Sequence, residues 1–163
     1  MRVLLKEVAK KYGMFITFMP KPTIGDWRSG AHINFSMTGK TDNKKIFEGK
    51  DGKFSDIAYH AVGGLIKHGT SITAIACSTV NSYNGLVPIV GGFEGGVYTW
   101  APTTMAYGDN NRSCMIRLPQ NRFCIENRAA DMCMNPYLSL AMTTASALDG
   151  IKNKIDPGKP LNL

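Results

Sequence analysis

The chain has 163 residues, 44% of them hydrophobic and 19% charged, enough to bury one sizeable core and unlike the compositions of disordered, collagenous or coiled-coil chains. Its apolar stretches, such as 72–77, fall far short of the roughly 20 residues of a membrane span, and no signal-peptide pattern is present, so a cytoplasmic protein of one domain with no membrane partner is expected. Nineteen Lys and Arg against twelve Asp and Glu leave a charge of +7, but the lysines are scattered and no aromatic and basic RNA-binding motif appears, which points away from nucleic acid and toward anionic small molecules.

Residues 2–12 (RVLLKEVAKKY) place apolar Val3, Leu4 and Val8 among polar positions and are followed by Gly13, the pattern of a surface helix ending at a glycine. MFITFMP (14–20) is rich in β-branched and aromatic residues and GAHINFSM (30–37) alternates, so both are expected as strands joined through Pro22, Gly25 and Asp26 in a hairpin-like unit. Residues 40–53 are polar and loop-like. A second helix is signalled from Ser55 as N-cap, through Ile57, Ala61, Val62, Leu65 and Ile66, to Lys67, His68 and Gly69. Residues 78–111 lack periodicity and are rich in Gly, Ser, Asn and Pro, the profile of a long functional loop covering a site. RSCMIRL (112–118) and RFCIE (122–126) are expected as strands joined at Pro119 and Gln120. A last helix begins at Asn135 and Pro136, shows small residues through Ala141, Ala145 and Leu148, and stops near Gly150.

Side chains two apart share a strand face, so His32, Asn34 and Ser36 lie together, as do Arg122, Cys124, Glu126 and Arg128. The arginines concentrate between 112 and 128, and their planar fork matches carboxylates and phosphates. An imidazole with a carboxylate is a partial shell for a hard divalent ion. His32 serves equally as a hydrogen-bonded structural histidine, and Glu126 equally as a salt-bridge partner of Arg112, Arg117 or Arg128. His60 and His68 fit helix-surface or helix-dipole roles. The glycines at 91, 92, 95 and 96 lack the motif of a phosphate loop and suit a flexible loop. Cysteines 77, 114, 124 and 133 show no C-x-x-C spacing and are expected as reduced thiols rather than zinc ligands.

Seven blocks in order, FMPKP (18–22), SGAH (29–32) followed by Ser36, NSY (81–83) with LVP (86–88), NNRSCMIRLP (110–119), IENRAAD (125–131), NPYLSLA (135–141) and ALDGIKNKIDPG (147–158), resemble the catalytic domain of glutamine synthetase over nearly the whole chain. YTWAP (98–102) and YGDNNR (107–112) resemble the branch holding glutamate-methylamine ligase and type III-like enzymes. The resemblance implies an α+β fold, an antiparallel sheet with helices packed on one side. It also implies an ATP-dependent ligase that uses Mg²⁺ or Mn²⁺ and joins ammonia or a small amine to the γ-carboxylate of glutamate through a γ-glutamyl phosphate, within a ring-type homo-oligomer. A non-catalytic remnant of the fold, or an alkylamide ligase rather than a glutamine synthetase, is the alternative. Residue by residue it implies metal binding by His32 and Glu126, contacts of Arg112 and Arg117 with ATP phosphates and the phosphorylated intermediate, substrate binding by Arg128 and Gly30, and nucleotide binding by Ser36, Asn34, Arg117 and Arg122.

The chain departs from the family pattern at several positions. Trp27-Arg28 replaces the usual Asn-Gly, Asn34 a second histidine, Asn84-Gly85 the usual Lys-Arg, Cys124 an arginine, and Trp100 the flap glutamate that binds ammonium, for which Glu94 would have to substitute. An aromatic at 100 suits an alkylammonium by apolar and cation-π contact. The family's N-terminal β-grasp domain and acidic metal-binding strands have no counterpart in the chain, so 1–163 is expected as the C-terminal portion of a catalytic domain, inactive in isolation.

Overall fold

The computed structural model describes residues 1–23, 26–87, 89–92, 96–98 and 100–162, with backbone alone at 51, 89–92 and 96–98. Expectations resting on Gly25, Pro88, Glu94, Gly95 and Thr99 fall outside the described residues. The elements run α1 (Arg2–Lys11), β1 (Ile33–Phe35), a 3₁₀ turn (Lys50–Gly52), α2 (Asp56–Lys67), α3 (Gly69–Ala76), α4 (Val80–Asn84), β2 (Ile89–Gly92), β3 (Gly96–Tyr98), β4 (Thr104–Asp109), β5 (Cys114–Leu118), β6 (Ile125–Asn127) and α5 (Pro136–Asn153).

Local signals fix most helix ends. Gly13 takes φ +65 just past α1, a conformation free of cost only for glycine. Ser55 accepts a hydrogen bond from the Ala58 N–H at the start of α2. Asn135 accepts from Tyr137 and Leu138 at the start of α5, with Pro136 in its first turn. The α5 helix runs beyond Gly150 to Asn153 and is closed by Lys154 in a left-handed conformation (φ 49). Its buried stripe is Ser139, Thr143, Ser146, Ala147 and Gly150, whereas Ala141, Ala145 and Leu148 are exposed. The sequence places the small-residue face on the wrong side because the packing partner, α2, approaches through backbone.

That approach is close. A Cβ on Gly64 would lie 2.1 Å from the Ser146 carbonyl oxygen and 2.6 Å from the Gly150 nitrogen, and a Cβ on Gly150 would lie 2.1 Å from the His60 carbonyl oxygen. The helices touch at a glycine pair, and the core forms between them and the sheet from Ala58, Ala61, Val62 and Leu65 of α2, Ala147 of α5, and Ile116, Leu118 and Ile125 of the strands.

The main sheet has the order β1-β6-β5-β4, within an α+β architecture whose helices α2 and α5 pack on one side. The β1–β6 and β5–β6 pairs are antiparallel, as expected, but β4 and β5 pair in parallel. Asn110, at φ 58, turns the chain at the end of β4, and residues 110–113 run back so that Cys114 begins beside Thr104. Two expected strands change. Residues 14–19 form no strand, and Phe15 is 92% exposed; β1 ends the sheet order with β6 as its one strand partner, and the apolar run does not pair with its other edge. The 122–126 strand is displaced to Ile125–Asn127. The 78–111 stretch contains α4, whose Thr79 and Ser82 form a reciprocal capping box, the strands β2 and β3, which pair antiparallel, and β4, so its described residues carry regular structure rather than one long loop.

Gly64→Ala is expected to lower unfolding stability by about 3 kcal/mol, read as a lower urea midpoint. Ser55→Ala, which removes only a cap, is expected to cost about 1 kcal/mol.

Candidate functional site

The sheet register assembles the site. Asn34 of β1 lies beside Glu126 of β6, and Glu126 beside Arg117 of β5, so one cross-sheet row points away from the helices. The adjacent row, Ile33, Asn127 and Ile116, is buried on the core side. Alternation therefore separates a charged face from an apolar one on the same strands.

Glu126 is the centre of the charged face, its side chain 5% exposed. Its Oε2 accepts from Arg117 Nη1 at 2.8 Å, and its Oε1 lies 3.0 Å from His32 Nδ1 and 3.3 Å from Arg128 Nη1. Burial pushes the carboxyl up, but the hydrogen bonds from His32 and Arg117, with the charge of Arg128, outweigh burial and hold it at about 2. Arg128 donates through all three nitrogens: Nε to the Arg112 carbonyl at 3.1 Å, Nη2 to the Trp100 carbonyl at 2.8 Å, and Nη1 to Glu126. Burial, followed by repulsion from Arg117 and Arg112, lowers its pKa, while Glu126 opposes the change. Arg117 also donates from Nε to Asn110 Oδ1 at 3.1 Å.

This network forms the wall of a cleft of about 510 Å³ lined by Lys21, Trp27, Arg28, Gly30, His32, Gly85, Val87, Trp100, Ala101, Pro102, Arg112, Arg117, Glu126 and Arg128. Among these lining residues, Lys21, Arg28, Arg112, Arg117 and Arg128 face a single carboxylate. Gly30 is shaped by its neighbour, since a Cβ there would lie 2.8 Å from His32 Nε2. Trp27 stacks on Trp100 with ring centroids 5.4 Å apart, and the Arg112 guanidinium sits 5.5 Å over the Trp100 ring.

The expected residues divide into two groups. His32, Glu126, Arg112, Arg117, Arg128 and Gly30 converge on the cleft. Asn34 and Arg122 pair with each other at 3.0 Å, Arg122 reaches Cys124 Sγ at 3.1 Å, and Ser36 is exposed on the same strand face as Asn34; these three are not among the cleft-lining residues. His60 and His68 serve elsewhere, at the Ile155 carbonyl and at Asp149. All four cysteines are free thiols. Lys21 lies outside the residues that the sequence marks for the site, and Trp27 and Arg28 stand out there only as departures; none carries a local signal, because each comes from an irregular segment placed by distant contacts.

His32 and Glu126 form an imidazole and carboxylate pair on the cleft wall, the donor chemistry of a partial shell for Mg²⁺ or Mn²⁺. No group of three or more metal-type side chains occurs among the described residues, and the pair fits as part of a shell.

A sheet carrying a cationic cleft around one buried carboxylate defines a protein built to handle anions, and the family model of the glutamine synthetase catalytic domain matches residues 1–163: the chain belongs to that family. It is 41% identical over 167 residues to the glutamine synthetase of Microchaete diplosiphon, covering 99% of this chain and 33% of that protein. It is 42% identical over 161 residues to the glutamate–methylamine ligase of Methyloversatilis universalis, covering 96% and 35%. A solved GmaS/ADP complex superposes with a TM-score of 0.85 at 38% identity, covering 99% of this chain and 37% of that one. The chain thus spans about a third of the length of the curated relatives it matches. Among the described residues, no helix is long and apolar enough to cross a membrane.

Because the folded carboxyl of Glu126 lies at about 2 against an ordinary 4.5, its contribution is complete above pH 4.5 and drains as pH falls toward 2, about 3 kcal/mol in all. Urea unfolding across that window is expected to show the loss in the native sequence and a flatter profile in Glu126→Gln.

Proposed function

We propose that the protein carrying this chain is an ATP-dependent ligase that joins ammonia or a small amine to the γ-carboxylate of glutamate through a γ-glutamyl phosphate. The observation that carries this reading is the imbalance of the cleft, five cationic side chains against Glu126, in a chain of this family. Phosphoryl transfer asks a protein chiefly for fixed positive charge around the transferring group and for positioning. Arg117 suits that role, since its guanidinium is held at the cleft wall between Glu126 and Asn110, with the second N–H of each terminal nitrogen left for a phosphate oxygen. Arg112, held over Trp100, offers a second cation at the cleft wall. His32 and Glu126 would hold a divalent ion, which when bound neutralises phosphate charge. Arg128 braces Glu126 and the carbonyls of Trp100 and Arg112, positioning that wall.

In this proposal the chain is the C-terminal portion of a catalytic domain. The remaining metal ligands come from acidic strands elsewhere in the full-length protein, which assembles into a ring-type homo-oligomer. Asn34, Ser36 and Arg122 extend the strand face beyond the cleft toward the nucleotide. A second reading, an alkylamine rather than ammonia as acceptor, rests on the Trp27–Trp100 stack at the cleft, whose apolar surface suits a methyl group better than bare ammonium.

Phosphate release from ATP by the full-length protein, measured with glutamate plus ammonia, methylamine, ethylamine or no amine, tests both readings. Release that requires glutamate and one amine is expected; turnover with none of the amines by a folded protein would overturn the ligase reading. Arg117→Ala is expected to lower kcat by about 10²–10³-fold.

A further inference from the structure

We propose that Arg28 is a substrate-gripping residue that binds the α-carboxylate of glutamate, an inference that rests on the ligase reading. The Arg28 side chain is 7% exposed and stands in the cleft wall. Its Nη2 donates to the Ala129 carbonyl at 3.2 Å and lies 3.9 Å from Asp131 Oδ2, a loose ion pair, while Nε and Nη1 have no hydrogen-bond partner. A buried guanidinium with two of its nitrogens unmatched is a costly arrangement, and such a group calls for a ligand or a role.

The room for this side chain comes from Gly85. A Cβ at that position would lie 2.9 Å from Arg28 Cβ, 3.0 Å from Cδ and 3.3 Å from Nε. Two departures from the family pattern therefore meet in space: the position that usually carries arginine after NSY is a glycine, and the loop facing it contributes an arginine of its own. The other arginine expected at the substrate, Arg128, already donates through every nitrogen within the chain. Arg28 is differently placed. Its free donors are sealed from solvent as the chain stands, so the guanidinium must turn about its terminal torsions to meet a ligand. Turning it lengthens the pair with Asp131, whose Oδ2 has no hydrogen-bond partner, and the incoming carboxylate offsets that cost by satisfying donors that have none. The α-carboxylate is the group assigned because the γ-carboxylate belongs at the reacting centre beside the phosphate-handling arginines.

The test is steady-state kinetics on the full-length protein with ATP and whichever amine it uses. Arg28→Gln is expected to raise the KM for glutamate about tenfold or more with kcat and the KM for ATP little changed. It is also expected to erase most of the preference for glutamate over 4-aminobutyrate, which lacks the α-carboxylate; Arg28→Lys is expected to recover part of both. Gly85→Ala, allowed by the backbone there (φ −89), presses on the Arg28 stem without removing its charge and is expected to move glutamate KM the same way. It decides the matter should Arg28→Gln fail to fold with Asp131 left unpaired. An unchanged glutamate KM in the folded variants, or a rise in the KM for ATP instead, overturns the proposal. Absence of turnover in the native protein sinks the ligase reading separately; calorimetry with glutamate then judges Arg28, supported if Gly85→Ala weakens binding and overturned if binding is equal or absent in the native sequence.

Discussion

The site depends on one buried carboxylate. Glu126 sits on a strand with neighbours on both sides, and an unpaired carboxylate there would cost several kcal/mol or lose its charge. Arg117, Arg128 and His32 prevent both, and in doing so each is fixed in place. The consequence spreads outward through Arg128, whose remaining donors hold the carbonyls of Trp100 and Arg112. A single charge on β6 thereby ties the sheet to the irregular segment that carries the aromatic and cationic side chains of the cleft. Removing one member of such a set leaves the others buried and unmatched, which is why the group acts as a unit.

The same set leaves positive charge in excess. Arg117 and Arg112 repel Arg128, and burial adds to that strain, while Lys21 and Arg28 contribute further cations at the cleft. An anion entering this space relieves repulsion already built into the fold, and it meets donors held by the sheet rather than by mobile side chains. Binding energy of that kind is available where charge develops during transfer of a phosphoryl group. The positions that match the family pattern and carry this charge, Glu126, Arg117 and Arg128, lie on or just beyond β5 and β6, with His32 just ahead of β1. Of those that depart from it, the ones lining the cleft, Trp27, Arg28, Gly85 and Trp100, lie between elements, whereas Asn34 on β1 and Asn84 in α4 do not line it.

That division also explains what is legible in the sequence. Ser55, Asn135 and Pro136 mark helix starts because capping is settled within one turn, and the faces of β1 and β6 follow from a two-residue period. Glu126 can be placed on a face with Arg128, yet not opposite Arg117 and Asn34, because register is decided between strands far apart in the chain. The apolar run 14–19 has strand composition but no paired edge, and composition alone cannot supply a partner. The buried face of α5 is misread from sequence since Gly64 and Gly150 let two backbones touch, a contact that small residues elsewhere on the helix mimic. Asn110 makes β4 and β5 a parallel pair through a left-handed residue that asparagine tolerates and does not announce.

The aromatic stack bears on the amine more directly than family membership does, since this chain is about equally similar to a glutamine synthetase and to a glutamate–methylamine ligase. Selecting ammonium over an alkylammonium calls for acceptors that match every N–H, for which a carboxylate is the natural choice. Among the described lining residues, Glu126 is the carboxylate, and in the proposed reading it serves the divalent ion within its frame of Arg117, Arg128 and His32. What remains near the mouth is Trp27 and Trp100, both substantially exposed and stacked. Indole surface gains from covering a methyl group and discriminates poorly for bare ammonium. Under the proposed ligase reading, the Trp27–Trp100 surface is therefore the feature among the described residues that supports an amine carrying an apolar substituent.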